Sequence, residues 1–157
     1  MGKNRIPVAV LGSGNIGIDL CERLLHDPDF ELIALVGRRS TSSGLLRFKG
    51  RIPYVLSGGL QEFLPLCDQV AGVFDATSAF AHQNHWQELG ALGKWVIDLT
   101  PSRIGNPLVP VLVGKSKSMT IDLTNGVNNY SMVTCGGQSS APLLAAITAH
   151  SKGIQEV

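Results

Sequence analysis

Residues 7–17 read Pro7-Val-Ala-Val-Leu-Gly-Ser-Gly-Asn-Ile-Gly17, and this stretch decides the fold. Pro7 to Leu11 is a short apolar run that stops abruptly at Gly12. It reads as a strand buried on both faces, as in a parallel sheet covered by helices. Gly12, Ser13, Gly14, Asn15, Ile16 and Gly17 then match G-x-G-x-x-G. The motif alone is a weak signal, but here it follows a buried strand and opens a helix, the context its mechanics require. Gly12 permits the tight turn, and Gly14 lets backbone approach a pyrophosphate with no Cβ in the way. Gly17 lets the helix pack closely on the strand. The unpaired N–H groups and positive dipole end of the helix then face the diphosphate. The alternative is a glycine-rich turn without a ligand.

Outward from the loop, apolar residues at Ile16, Leu20, Leu24 and Leu25 alternate with Asp19, Glu22 and Arg23 at helical spacing. Phe30 to Val36 is a second apolar run, closed by Gly37, so a β-α-β unit spans roughly residues 6–36. Such crossovers are right-handed and lay the two strands side by side and parallel. A short helix is predicted from Gly59 to Leu66. A strand follows from Val70 to Phe74, ending at Asp75-Ala-Thr-Ser, then a helix from Ala79 to Leu92 and a strand from Trp95 to Leu99. Beyond Ile104 the pattern weakens. Asn106 to Val113 carries two prolines, Ser118 to Leu123 reads as one more strand, and Gly126 to Tyr130 is polar and turn-like. A final helix is predicted from Ala141 to His150. The class is α/β: a Rossmann-like, doubly wound, mostly parallel sheet. Residues 1–157 form a single dinucleotide-binding domain, with a cysteine-bearing segment, 126–157, at its end.

The bulk composition agrees. A chain of 157 residues with 44% apolar and 16% charged residues suits one globular core. Thirteen basic against twelve acidic residues, a net charge of +1, gives no basic excess of the kind nucleic-acid partners select. Cys21, Cys67 and Cys135 have neither zinc-site spacing nor the density of a disulfide scaffold. No apolar run reaches the ~18–20 residues that cross a bilayer, and the start lacks an apolar signal core. No nucleic-acid or membrane partner and no metal are expected, and a cytoplasmic location is the default.

The end of the second strand bears on cofactor choice. An acidic residue there accepts hydrogen bonds from a ribose 2′-hydroxyl. This chain has Val36-Gly-Arg-Arg-Ser-Thr instead. Arg38 or Arg39 can bind a 2′-phosphate bidentately, with Ser40 or Thr41 adding hydroxyl donors. NADP is the favoured cofactor and NAD stays open, because two solvated arginines on a loop would read the same way.

Met132-Val-Thr-Cys-Gly-Gly-Gln138 puts a cysteine ahead of two glycines and an incipient helix. The dipole end there favours an anion on sulfur, and neighbouring N–H groups can form an oxyanion hole. A lone cysteine is also commonly a small buried hydrophobe. Further strings occur in order: Val8 to Gly17, Val73-Phe-Asp-Ala-Thr-Ser-Ala79 with Ala81-His82, Ile97-Asp-Leu-Thr-Pro101, Ile104-Gly105, Val109-Pro-Val111 and Asn129 to Gln138. Together they resemble the acylating acetaldehyde dehydrogenases of aromatic meta-cleavage pathways, over nearly the whole chain. The resemblance implies an enzyme that oxidises a short aldehyde to an acyl-CoA with NAD and CoA, or runs the reverse reduction. It implies Cys135 as the nucleophile, Ser13 to Ile16 along the cofactor phosphates, and Thr77 and Ser78 near the ribose and nicotinamide. A partner aldolase, or a second chain supplying the rest of the family's length, is a further implication.

The chain departs from that family in three ways. It has about half the family's length, so the substrate and dimerisation domain, with the general base, is expected to be absent. Arg39 stands where the family has its acidic ribose ligand. The stretch from Ser118 to Asn128 is longer than the family's. Self-association is expected from an incomplete sheet edge after Ile121 and from the apolar final helix. His82 and His85, three apart on one helix, lack a third ligand for zinc, and His82 matches a family histidine whose usual work is packing or capping. Asp75 and Asp98 end two strands, where they serve either as functional groups or as loop caps. Two other functions compete with catalysis of this type: a non-catalytic NAD(P)-binding module, and a small NADPH-dependent imine or enamine reductase.

Overall fold

The computed structural model describes residues 4–113 and 129–151. The described strands are β1 (Ile6–Leu11), β2 (Phe30–Val36), β3 (Tyr54–Leu56), β4 (Gly72–Asp75), β5 (Trp95–Asp98), β6 (Asn106–Leu108) and β7 (Asn129–Met132). They form one sheet in the order β3-β2-β1-β4-β5-β7-β6, and each described pairing is parallel. The helices are α1 (Asn15–His26), α2 (Ser43–Phe48), α3 (Leu60–Phe63), α4 (Ala79–Ala91) and α5 (Cys135–His150). No helix among the described residues is long and apolar enough to cross a membrane.

Parallel strands need long crossovers, and these put helices on both faces of the sheet. The side chains of β1 divide accordingly. Val8 and Val10 join Cys21, Leu24, Leu45 and Phe48 on one face. Ala9 and Leu11 join Phe63, Val73, Leu89 and Val96 on the other. The alternation is the period of two of an extended chain, and it makes the fold doubly wound, as the apolar runs predict.

The glycines of the loop supply the contact that joins β1 to α1. Gly12 has φ +109°, and a Cβ on it would stand 2.5 Å from the Ala76 carbonyl oxygen. A Cβ on Gly17 would stand 1.9 Å from the Gly12 carbonyl oxygen. Nothing lies within 4 Å of the Cβ position of Gly14.

Several elements differ from the sequence expectation. α2 and β3 were not anticipated, being too short for either periodicity to register. The predicted helix from Gly59 divides into α3 and a 3-10 turn over Leu64–Gln69, with Pro65 in the first turn of the latter. β6 contains Pro107 and survives because it is an edge strand, where a missing donor costs nothing. Asn129 and Tyr130, read as part of a turn, are buried in β7 instead. Their polarity misled: Asn129 makes a buried side-chain bond. α5 starts six residues earlier than predicted. The Thr134 hydroxyl accepts from the Gly137 N–H at 2.9 Å and the Thr134 carbonyl from the Gln138 N–H at 2.8 Å, capping the helix ahead of its glycines. The predicted strand from Ser118 to Leu123, the long stretch to Asn128 and the edge after Ile121 lie outside the described residues.

The glycine geometry separates two roles. Gly17→Ala must force the loop off α1 and is expected to cost about 1–3 kcal/mol of stability, read as a lowered urea midpoint. Gly14→Ala changes stability by under about 1 kcal/mol, while weakening binding of a diphosphate.

Candidate active site

Leu11, the last residue of β1, is in register with Val36 of β2 on one side and with Asp75 of β4 on the other. The chain winds outward in opposite directions from that point, so the loops leaving β1 and β4 part and open a crevice at the carboxyl ends. A cleft of about 500 Å³ lies there. Gly12, Ser13 and Gly14 form its middle, Arg38 and Arg39 its β2 side, and Thr77 and Ser78 its β4 side. The first turns of α4 complete it with Phe80, Ala81, Asn84 and His85.

The fit to a dinucleotide is physical. No side chain caps α1, whose N-cap is Gly14 in extended conformation, so its first N–H groups have no side-chain partner there. The open space at Gly14 is where a phosphate must approach. Among the described residues no carboxylate lines the cleft, and neither Arg38 nor Arg39 forms an ion pair. The arginines near the end of β2 divide into two sets. Arg47 and Arg51 both pair with Glu22 at 2.8 Å, and the bidentate Arg51 hydrogen bonds hold the Glu22 carboxyl down at about 2. Those two arginines brace α1, whereas Arg38 and Arg39 face the cleft.

The other candidate residues fall in different places. Gly17 is buried in the loop-to-helix contact. Asn15 and Ile16 are exposed in the first turn of α1, and Ser40 is exposed on the loop after β2; none of the three lines the cleft. Ser42 does, and its hydroxyl is 2.9 Å from that of Ser13. Cys135 is exposed at the start of α5 and stands apart from the cleft lining. It follows β7 at the same carboxyl edge of the sheet, on the far side of β5. Cys21 and Cys67 are buried, and burial pushes the Cys21 thiol up to about 12 and raises that of Cys67 as well.

Asp75 organises the β4 side. Its Oδ1 accepts from the Thr77 N–H at 3.0 Å and the Thr77 hydroxyl at 2.5 Å. Its Oδ2 accepts from Nδ1 of His82 at 2.9 Å and Nδ1 of His85 at 2.7 Å. Burial pushes this carboxyl up, but the bonds from His82, His85 and Thr77 outweigh burial and hold it well below the usual carboxylate range. On its other side, His82 Nε2 accepts from Asn129 Nδ2 of β7 at 3.1 Å. Asp98, level with Asp75 in register, accepts from the Thr100 N–H at 2.7 Å, the Ser102 hydroxyl at 2.5 Å and the Ser131 hydroxyl at 3.0 Å. Both aspartates therefore cap loops, and Asp75 also fixes two imidazoles. The sequence reading missed Phe80, Asn84 and Ser42 as cleft residues. The signal for the first two was their spacing with His85 along one helix stripe.

Residues 7–123 match the family model of the semialdehyde dehydrogenase NAD-binding domain. The chain belongs to that family. The acetaldehyde dehydrogenase of Geobacillus thermodenitrificans (strain NG80-2) is 42% identical over 144 residues, covering 91% of this chain and 46% of that protein. That of Geobacillus stearothermophilus is 38% identical over 157 residues, 98% of this chain and 50% of that protein. The chain thus spans about half the length of these relatives. Among solved structures, GenD2 from gentamicin A biosynthesis, in complex with NAD, aligns with a TM-score of 0.56 and 27% identity over 68% of this chain and 30% of that one. A myo-inositol dehydrogenase from Corynebacterium glutamicum (ATCC 13032) shares the fold, with a TM-score of 0.55 and 17% identity over 63% of this chain and 29% of that one. The chain is a dehydrogenase domain for a nicotinamide cofactor.

The Asp75 bonds carry a pH dependence. Because the folded carboxyl titrates below its ordinary 3.8, its contribution to stability is present above that pH and is lost as pH falls through the folded value. At pH 7, Asp75→Asn should cost about 2 kcal/mol, and the gap between wild type and variant should narrow steadily below pH 4 in urea titrations.

Proposed function

We propose that the chain is the cofactor-binding and nucleophile-bearing part of an NADP(H)-preferring acylating aldehyde dehydrogenase, interconverting a short aldehyde and its acyl-CoA. The observation that carries this is the exposure of Cys135 at a capped helix start, on the same sheet edge as the dinucleotide cleft. A nicotinamide bound in the cleft would accept the hydride that leaves the former aldehyde carbon. The Cys135 sulfur adds to the aldehyde carbonyl carbon and, after oxidation, carries the acyl group as a thioester. A CoA thiol then takes the acyl group, giving its proton to solvent, and the Cys135 sulfur leaves as thiolate. N–H groups at the start of α5 would hold the substrate oxyanion. The cleft-facing pair Arg38 and Arg39, with no carboxylate among the described cleft residues, supports a 2′-phosphate ligand.

A second reading is that this chain alone binds the nucleotide without turnover. The position of Cys135 apart from the cleft lining favours it, and one experiment separates the two. Incubation with acetyl-CoA is expected to add one acetyl group, seen by intact mass, that is absent in Cys135→Ser. Acetyl transfer to no residue, or equally to the variant, would remove the nucleophile. In parallel titrations, NADPH should bind at least about tenfold more tightly than NADH, and Arg39→Asp should reverse the order. Equal affinities in the wild type would remove the NADP preference.

A further inference from the structure

We infer that His85 is a binding residue for the nicotinamide-side ribose of the dinucleotide, its free ring nitrogen accepting a hydrogen bond from a donor on that half of the ligand. The inference rests on the reading of the cleft as a dinucleotide site and adds a contact on its β4 side. Residues 80, 81, 84 and 85 all line the cleft, a spacing of one stripe along α4. His85 is the ionisable residue of that stripe, its side chain 14% exposed. Its Nδ1 is committed to the buried Asp75 carboxylate at 2.7 Å, so the opposite edge of the ring, with Nε2, is left for the cleft. A carboxylate that holds Nδ1–H also fixes the tautomer, leaving an acceptor lone pair on Nε2.

The ligand partner follows from position. A dinucleotide lies across the switch point with its diphosphate on the glycine loop. Arg38 and Arg39 mark the adenosine end beyond β2, which leaves the nicotinamide nucleoside over β4 and the start of α4. Ribose hydroxyls and a carboxamide N–H are the donors available there, and an Nε2 acceptor suits either. Asp75 is itself held in place: its Oδ2 also accepts from His82, which Asn129 of β7 braces from behind. The acceptor is therefore preorganised.

The test compares a whole ligand with a half. His85→Asn keeps an amide N–H that can reach Asp75 but has no atom at the Nε2 position. Calorimetry of wild type and variant with NADPH and with 2′,5′-ADP, which lacks the nicotinamide half, is read with thermal midpoints of both proteins. The expected result is a fivefold to tenfold loss of NADPH affinity, the size of about one hydrogen bond, with 2′,5′-ADP affinity unchanged. Unchanged NADPH affinity, or equal loss for both ligands, would overturn the role of His85 and leave the dinucleotide site standing. Failure of the wild type to bind either ligand, or NADH, would overturn the site itself. Should the variant fold poorly, the imidazole 15N resonances of the wild type serve: His85 Nε2 should shift with NADPH and stay in place with 2′,5′-ADP, and the same response to both would contradict the contact.

Discussion

Two missing side chains hold this molecule's geometry in place. Where β1 meets α1, the Gly12 carbonyl occupies the space that a Cβ on Gly17 would need, and the Ala76 carbonyl occupies that of Gly12. The helix therefore starts close against the strand end, with its free N–H groups at the mouth of the crevice. Remove that closeness and the amides retreat from the ligand, the β1 to β4 register loses its neighbour, and the cleft has no centre. The hydrophobic faces of the sheet stabilise the fold at large, but this contact sets where the first amides of α1 stand.

A second constraint acts beside the glycine loop. Asp75 sits at the end of the strand beside β1, and its four acceptor directions are all used: two by Thr77, one each by His82 and His85. One carboxylate thus sets the loop after β4, the pitch of α4 over the cleft, and, through His82 and Asn129, the seat of β7. β7 leads within three residues to Cys135. The chain of bonds runs from the rim of the cleft towards the cysteine segment, and it is buried from Asp75 through His82 to Asn129. The glycine-loop cleft and the Cys135 segment, on opposite sides of β5, are so kept in one frame.

The central elements were legible in the sequence because their causes are local. A buried parallel strand is a run of apolar residues, and a glycine at a fixed offset declares a backbone approach; β1, α1 and β2 could be read from both. The far side was less legible because its causes are not local. β7 is polar in sequence, and Asn129 and Ser131 find their partners in His82 and Asp98, 47 and 33 residues away. The early start of α5 depends on a threonine cap that outweighs two glycines. Arg38 and Arg39 were distinguishable from Arg47 and Arg51 only once Glu22 was seen to hold the latter pair. His85 looked like a spare helix histidine until Asp75 gave its ring a direction.

The amide resonances of residues 12–17, followed during titration of the 15N-labelled chain with NADPH, bear most directly on the central claim. Gripping of the diphosphate by the turn predicts saturable shifts concentrated on Ser13 to Ile16. Resonances that stay still there, or that move only at distant positions, would contradict it.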